Sequence, residues 1–158
     1  ALYVWIFGDV SLYMESALNV YYMGMAIYGW FQWQRGGINH EGLEIIRWTA
    51  KQHGLAISAI VLAALVSGYL LSIGTDARLP YLDSLTTWGS ILTTVMVARK
   101  VLENWLYWIV INSISIYLYL DRGLEQTASM FMLYLVLAIL GYYAWRKKHA
   151  GQNRDIAA

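Results

Sequence analysis

Charged residues along this chain stand in short clusters, and the stretches between them are long, apolar and neutral. Gly54 to Gly74 runs without a charge, and so does Gln126 to Trp145. Each approaches the roughly 20 apolar residues needed to cross a hydrocarbon core about 30 Å thick. The same pattern divides the chain into a stub at about 1–8 and longer segments at about 12–33, 54–73, 84–98, 104–120 and 126–145. The polar stretch 34–53 is long enough for an interfacial helix, with Leu43, Ile45, Ile46 and Trp48 toward lipid headgroups. Backbone groups in lipid must be bonded within their own segment, so each crossing is a helix unless strands close into a barrel. Barrel strands alternate apolar and polar residues, and neither Val61–Val66 nor Leu133–Leu140 alternates. The pattern predicts an all-α membrane protein.

Composition agrees. Hydrophobic residues make up 59% of the 158 and charged residues 13%, about half the charge of a soluble domain. There is no cysteine, which excludes disulfides and cysteine metal sites. The net charge of +1 gives no basic stripe for nucleic acid. His40, His53 and His149 are scattered over polar stretches, so no histidine set is spaced for a metal, and no deep carboxylate pair suggests acid–base chemistry. Neither a charged ring nor a carbonyl filter marks an ion channel. What remains is a carrier of small solutes in a bilayer, with no enzyme activity, metal or cofactor expected and homo-oligomerisation left open.

Taking alternate turns as one side, Arg35, Arg47, Lys51, Arg99, Lys100, Arg146, Lys147, Lys148 and Arg154 fall together, and Arg78 and Arg122 fall opposite. Nine against two, of eleven basic residues, places the first set and the C-terminus in the cytoplasm. Ala1 to Gly8 is already apolar and shows no signal-peptide pattern, so the chain reads as beginning inside a helix.

Sliding the chain by 112 positions places Asp9 on Asp121, Leu12 on Leu124, Tyr22 on Tyr134, Ala26 on Ala138, Ile27 on Ile139, Gly29 on Gly141 and Trp33 on Trp145. Both copies end on the same side, so the repeat is parallel, one of the two repeat classes of transporters, with the solute site between halves near the midplane. The second copy spans three helices. By the same offset the first would start about 30 residues before Ala1, which predicts an N-terminal truncation. The chain thus divides into the end of a first three-helix repeat (1–35), a cytoplasmic loop (36–53), a linker helix (54–74), a second repeat (75–148) and a cytoplasmic tail (149–158). The small residues Ala56, Ser58, Ala59, Ala63, Ala64 and Ser67 suit close packing of the linker helix.

Three residues of segment 104–120 fall on one helix face: Trp105, Trp108 and Asn112. Asn112 lies near the midplane, where it either bonds a solute or bridges helices, and Trp105 is shallow enough to be an interfacial belt residue or a stacking surface. In segment 12–33, Glu15, Asn19 and Tyr22 form a polar stripe that must face the bundle or a wet cavity. Tyr22 and Tyr134 lie at matching depth, each bonded either to the solute or to a neighbouring helix. Ser90, Thr93 and Thr94 offer hydroxyls to the site or to their own helix backbone, and Trp30, Trp33 and Trp145 read as belt residues at the cytoplasmic ends.

The run KVLENWLYWIVIN from Lys100 to Asn112, followed by SISIYLY (113–119), resembles the signature of the Pnu family of vitamin transporters, whose W-x-x-W falls here on Trp105 and Trp108 with Asn112 four residues on. The stretches ALYVW (1–5) and YGWFQW (28–33) also match family patterns. The resemblance implies a seven-helix, three-plus-one-plus-three fold similar to the SWEET sugar transporters, in a bacterial inner membrane. It implies facilitated diffusion of nicotinamide riboside, trapped by cytosolic phosphorylation, with thiamine as the alternative solute. Trp105 and Trp108 would stack on the flat cationic ring, while Asn112, Asn19, Tyr22 and Tyr134 would bond the sugar hydroxyls.

The basic bias generates a direct test of topology. A reporter fused after Trp145 is expected to read as cytoplasmic and one at Asp121 as external; the reverse reading would contradict both the orientation and the segment count.

Overall fold

The computed structural model describes residues 20–35, 43–75 and 78–155. Five helices run through them: α1 (20–35), α2 (Ala50–Gly74), α3 (Pro80–Ala98), α4 (Asn104–Asp121) and α5 (Glu125–Asp155). Asn19 and the first apolar segment up to it lie outside the described residues.

Local chemistry sets the helix ends. Thr49 and Gln52 form a reciprocal capping box, so α2 begins at Ala50, four residues before the neutral stretch does. Pro80 opens α3 from within what the pattern makes a loop; proline suits the first turn because its missing N–H is an orphan there anyway. Asp83 and Glu125 sit in the first turns of α3 and α5, where the helix dipole favours negative charge. Gly123, at φ +71°, ends α4 with Leu124 N–H bonded to the Tyr119 carbonyl (2.8 Å). The turn after α3 repeats this geometry with Lys100 at φ 51°, where glycine would be usual. α5 continues as helix well past Trp145, through most of the expected tail.

One expectation is corrected. Leu43, Ile45, Ile46 and Trp48 lie in an extended segment, not an interfacial helix, and Ile46 pairs in parallel with Val101. Ile46 N–H donates to the Lys100 carbonyl (3.1 Å), and Leu102 N–H donates to that of Ile46 (2.8 Å). Extended backbone leaves half its groups free, and the α3–α4 turn offers them partners that a surface helix would not need.

α2 packs on α3, α3 on α4, and α4 on α5. Glycines permit close approach at these crossings. A Cβ at Gly68 would lie 3.0 Å from the Tyr81 Cα, one at Gly89 3.2 Å from the Ile111 side chain, and one at Gly141 2.6 Å from the Trp105 ring. On α2 the buried residues are Ala56, Ile60, Ala64 and Gly68, every fourth position; Ser58 and Ala59, expected in the packing set, face outward. α2 and the stretch Glu125–Gln152 of α5 are long and apolar enough to cross a membrane, and only 17% and 11% of their most apolar windows are buried. A core helix of a soluble domain would be mostly buried, so these faces suit lipid.

Charges gather at the two ends of the helices. One end holds Arg35, Arg47, Lys51, Arg99, Lys100 and Arg146–Lys148; the other holds Arg78 and Arg122. At the second end Arg78 pairs with Asp121 (3.6 Å) and Arg122 with Asp83, tying the start of α3 to the end of α4.

The crossings make opposite predictions for two glycines of α2. Gly68→Val should lower stability by about 1–3 kcal/mol, because the α3 backbone stands in the way. Gly54→Ala, with open space around it, should raise stability by about 0.5–1 kcal/mol. Thermal unfolding of the purified variants checks both signs.

Candidate functional site: the α4 face and its surroundings

α4 is the central helix of the three from Pro80 onward, and its two sides face different company. Trp105 turns toward α5. Its ring lies over Gly141 and meets Trp145 edge-on, with centroids 5.4 Å apart at 88°. Trp145 in turn meets Trp33 of α1 at 5.7 Å and 64°. The Trp33 indole donates to the Val97 carbonyl (3.2 Å), and the Lys100 ammonium stands 5.4 Å over its ring. Trp33 and Trp145, expected to be separate belt residues, are thus joined in one aromatic cluster with Trp105 at the basic end; Trp30 remains 64% exposed. The Trp105 indole nitrogen is buried without a hydrogen-bond partner.

Deeper along the same face, Asn112 is only 3% exposed, and Ser115 beside it 5%. Neither side chain bonds a described residue. The Asn112 amide is therefore not committed to another described side chain or carbonyl. Trp108, between Trp105 and Asn112, is half-buried and makes no ring pair among the described residues.

Tyr22 lines a cavity of about 320 Å³ between α1 and α3, with Gly29, Trp30, Trp33 and Thr94 among its neighbours. Its ring lies near Ser90 of α3, and the adjacent Tyr21 donates to the Ile91 carbonyl (2.9 Å). Tyr134 on α5 is 43% exposed, its ring edge-on to Phe131 at 5.8 Å. No contact joins Tyr22 to Tyr134. Thr93 and Thr94 give their hydroxyls to the Gly89 and Ser90 carbonyls of their own helix, both at 2.7 Å. The structure therefore gathers Trp105, Trp108 and Asn112 on one face of α4, and neither tyrosine makes a hydrogen bond or ring contact with them.

A second group, which local patterns in the sequence do not reveal, sits at the head of α4. Glu103 is 7% exposed. Its carboxylate accepts from the Arg47 guanidinium (2.8 Å) and the Trp48 backbone N–H (3.2 Å), and His53 lies 4.0 Å away. His53 is hydrogen-bonded through Nδ1 to the Tyr107 hydroxyl (2.9 Å), and their rings stack. The partners are 50 or more positions apart, beyond any local spacing rule. The bond to Glu103 raises the Arg47 pKa still further. Nearby, burial and then the neighbouring Lys148 lower that of Lys100, which donates to the Leu43 carbonyl (2.7 Å).

Known proteins bear on this geometry. The chain is 26% identical over 165 residues to the nicotinamide riboside transporter PnuC of Escherichia coli K12, covering 89% of this chain and 69% of that one. It is 28% identical to the transporter of the same name from Neisseria mucosa, over 96% of this chain and 63% of the relative. It is 24% identical to the riboflavin/roseoflavin transporter RibM of Streptomyces davaonensis, over 85% and 64%. Among solved structures it resembles the vitamin B3 transporter PnuC, with a TM-score of 0.64 and 26% identity over 95% of this chain and 68% of that one. The nicotinamide mononucleotide transporter family model matches residues 1–147, and the chain therefore belongs to that family of membrane vitamin transporters.

Proposed function

We propose that the protein carries nicotinamide riboside down its gradient across a bacterial inner membrane, with net uptake maintained by phosphorylation of the solute in the cytosol. The observation that carries this reading is Asn112, 3% exposed and bonded to no described residue, on the face shared with Trp108. Trp108 stacks on the flat cationic ring, and Asn112 bonds the ribose, joined by Asn19, Tyr22 and Tyr134 when the two halves close on the solute. Trp105, already packed on Gly141 and Trp145, forms the wall beside the ring. Acidic residues within the described helices stand at or near the ends, at Asp83, Asp121, Glu125 and Asp155, which suits a passive carrier better than a proton-coupled one. The basic end faces the cytoplasm.

The contact of Trp33 with Trp145 favours the parallel repeat. These two residues are separated by the repeat offset of 112, and a two-fold axis along the membrane normal would bring equivalent ends of α1 and α5 together in this way. Two further solutes stand as rivals. RibM, a riboflavin carrier by name, makes a flavin one; thiamine, another flat cation, is the second.

Titration of the full-length protein with nicotinamide riboside, thiamine and riboflavin separates the solutes: nicotinamide riboside should bind tightest. Asn112→Leu leaves a polar group of the solute unpaired, at about 1–3 kcal/mol, so affinity should fall about 5- to 150-fold. Trp108→Ala should also weaken binding while Trp30→Ala does not. Unchanged affinity in folded Asn112→Leu and Trp108→Ala proteins would place the site elsewhere.

A further inference from the structure

Away from the Trp105–Asn112 face, α2, α3 and α4 enclose a trench of about 660 Å³. Its walls are apolar, with Ile57, Ile60 and Val61 on one side and Val110, Ile111 and Ile114 on the other. Ile57 is 51% exposed and Val110 59%, so the trench opens sideways, toward lipid, and is not sealed inside the bundle. Along α4 its lining runs from Glu103 to Ile114, about 16 Å at 1.5 Å per residue. That is about half of a hydrocarbon core of roughly 30 Å, the depth of one leaflet.

The charged residues of the lining stand at the basic end only. Arg47, Trp48, His53 and Tyr107 line it there. Arg47 gives its Nε to Glu103, and its side chain is 65% exposed; its terminal amino groups donate to no described residue. Lys51, exposed in the first turn of α2, adds a second cation nearby. The one carboxylate among the lining residues, that of Glu103, is nearly covered and already paired, and the exposed Glu44 is not part of the lining, so the accessible charge on the trench wall is that of Arg47. A cation flanked by an indole, above an apolar channel one leaflet deep, complements a lipid phosphate with an acyl chain beneath it.

We propose that this trench binds one anionic phospholipid of the basic-side leaflet, its phosphate on Arg47 and an acyl chain lying between α2 and α4. The site is separate from the solute-binding face and stands whether or not nicotinamide riboside is the solute.

Native mass spectrometry of the full-length protein, released from micelles containing phosphatidylglycerol and phosphatidylethanolamine of identical chains, tests it. One phosphatidylglycerol should be retained in preference. Arg47→Ala combined with Glu103→Gln, which leaves no buried charge unpaired, should reduce that preference about fivefold, as about 1 kcal/mol per basic residue implies. Val110→Trp and Ile57→Trp, each filling the trench from one side at an exposed position, should abolish retention of both lipids. Equal retention of the two lipids by the unaltered protein, or retention unchanged by both tryptophans, would overturn the proposal. So would disulfide capture of a Val110→Cys protein by a second copy of itself, or blockage of the trench by another segment of the full-length chain.

Discussion

Glu103 carries a charge that the fold must satisfy at the membrane boundary. A carboxylate taken out of water costs several kcal/mol unless it is paired and hydrogen-bonded, and here its partners are the Arg47 guanidinium and the Trp48 N–H. Both belong to the extended segment ahead of α2. Meeting the carboxylate's needs therefore pins that segment to the head of α4, and the Ile46–Val101 pairing and the Lys100 bond to Leu43 reinforce the same junction. α2 must then leave from a fixed point and descend against α3, which gives the trench its width. The helix bearing Trp105, Trp108 and Asn112 is held at the same point.

Much of this architecture was legible from the pattern of charge. The limits of α4 agree closely with expectation because Glu103 and Asp121 bracket an uncharged run. The starts of α2 and α3 were harder to read, since Thr49–Gln52 and Pro80 act through local backbone chemistry that hydropathy does not register. The length of the polar stretch 34–53 suits an interfacial helix, but the extended form of 43–49 within it depends on a turn more than 50 residues later. No periodicity encodes such a pairing.

The candidate site divides in the same way. Helical spacing alone puts Trp105, Trp108 and Asn112 on one face, and they share it. Where that face points depends on Gly141, whose missing side chain admits the Trp105 ring, and spacing within α4 could not reveal this. The consequence is a gradient along α4: an aromatic cluster joining three helices at the basic end, and deeper in an amide that bonds no described residue. On the proposed reading, that amide is the group the solute meets. The Glu103 cluster had no spacing signal at all, because Arg47 and His53 reach it from another segment.

Passive carriage is the central claim, and uptake into sealed vesicles tests it most directly. Proteoliposomes holding the full-length protein should fill with labelled nicotinamide riboside until the inner and outer concentrations match, at a level unchanged by an imposed proton or sodium gradient. Accumulation above the outer concentration when either gradient is applied would contradict the account.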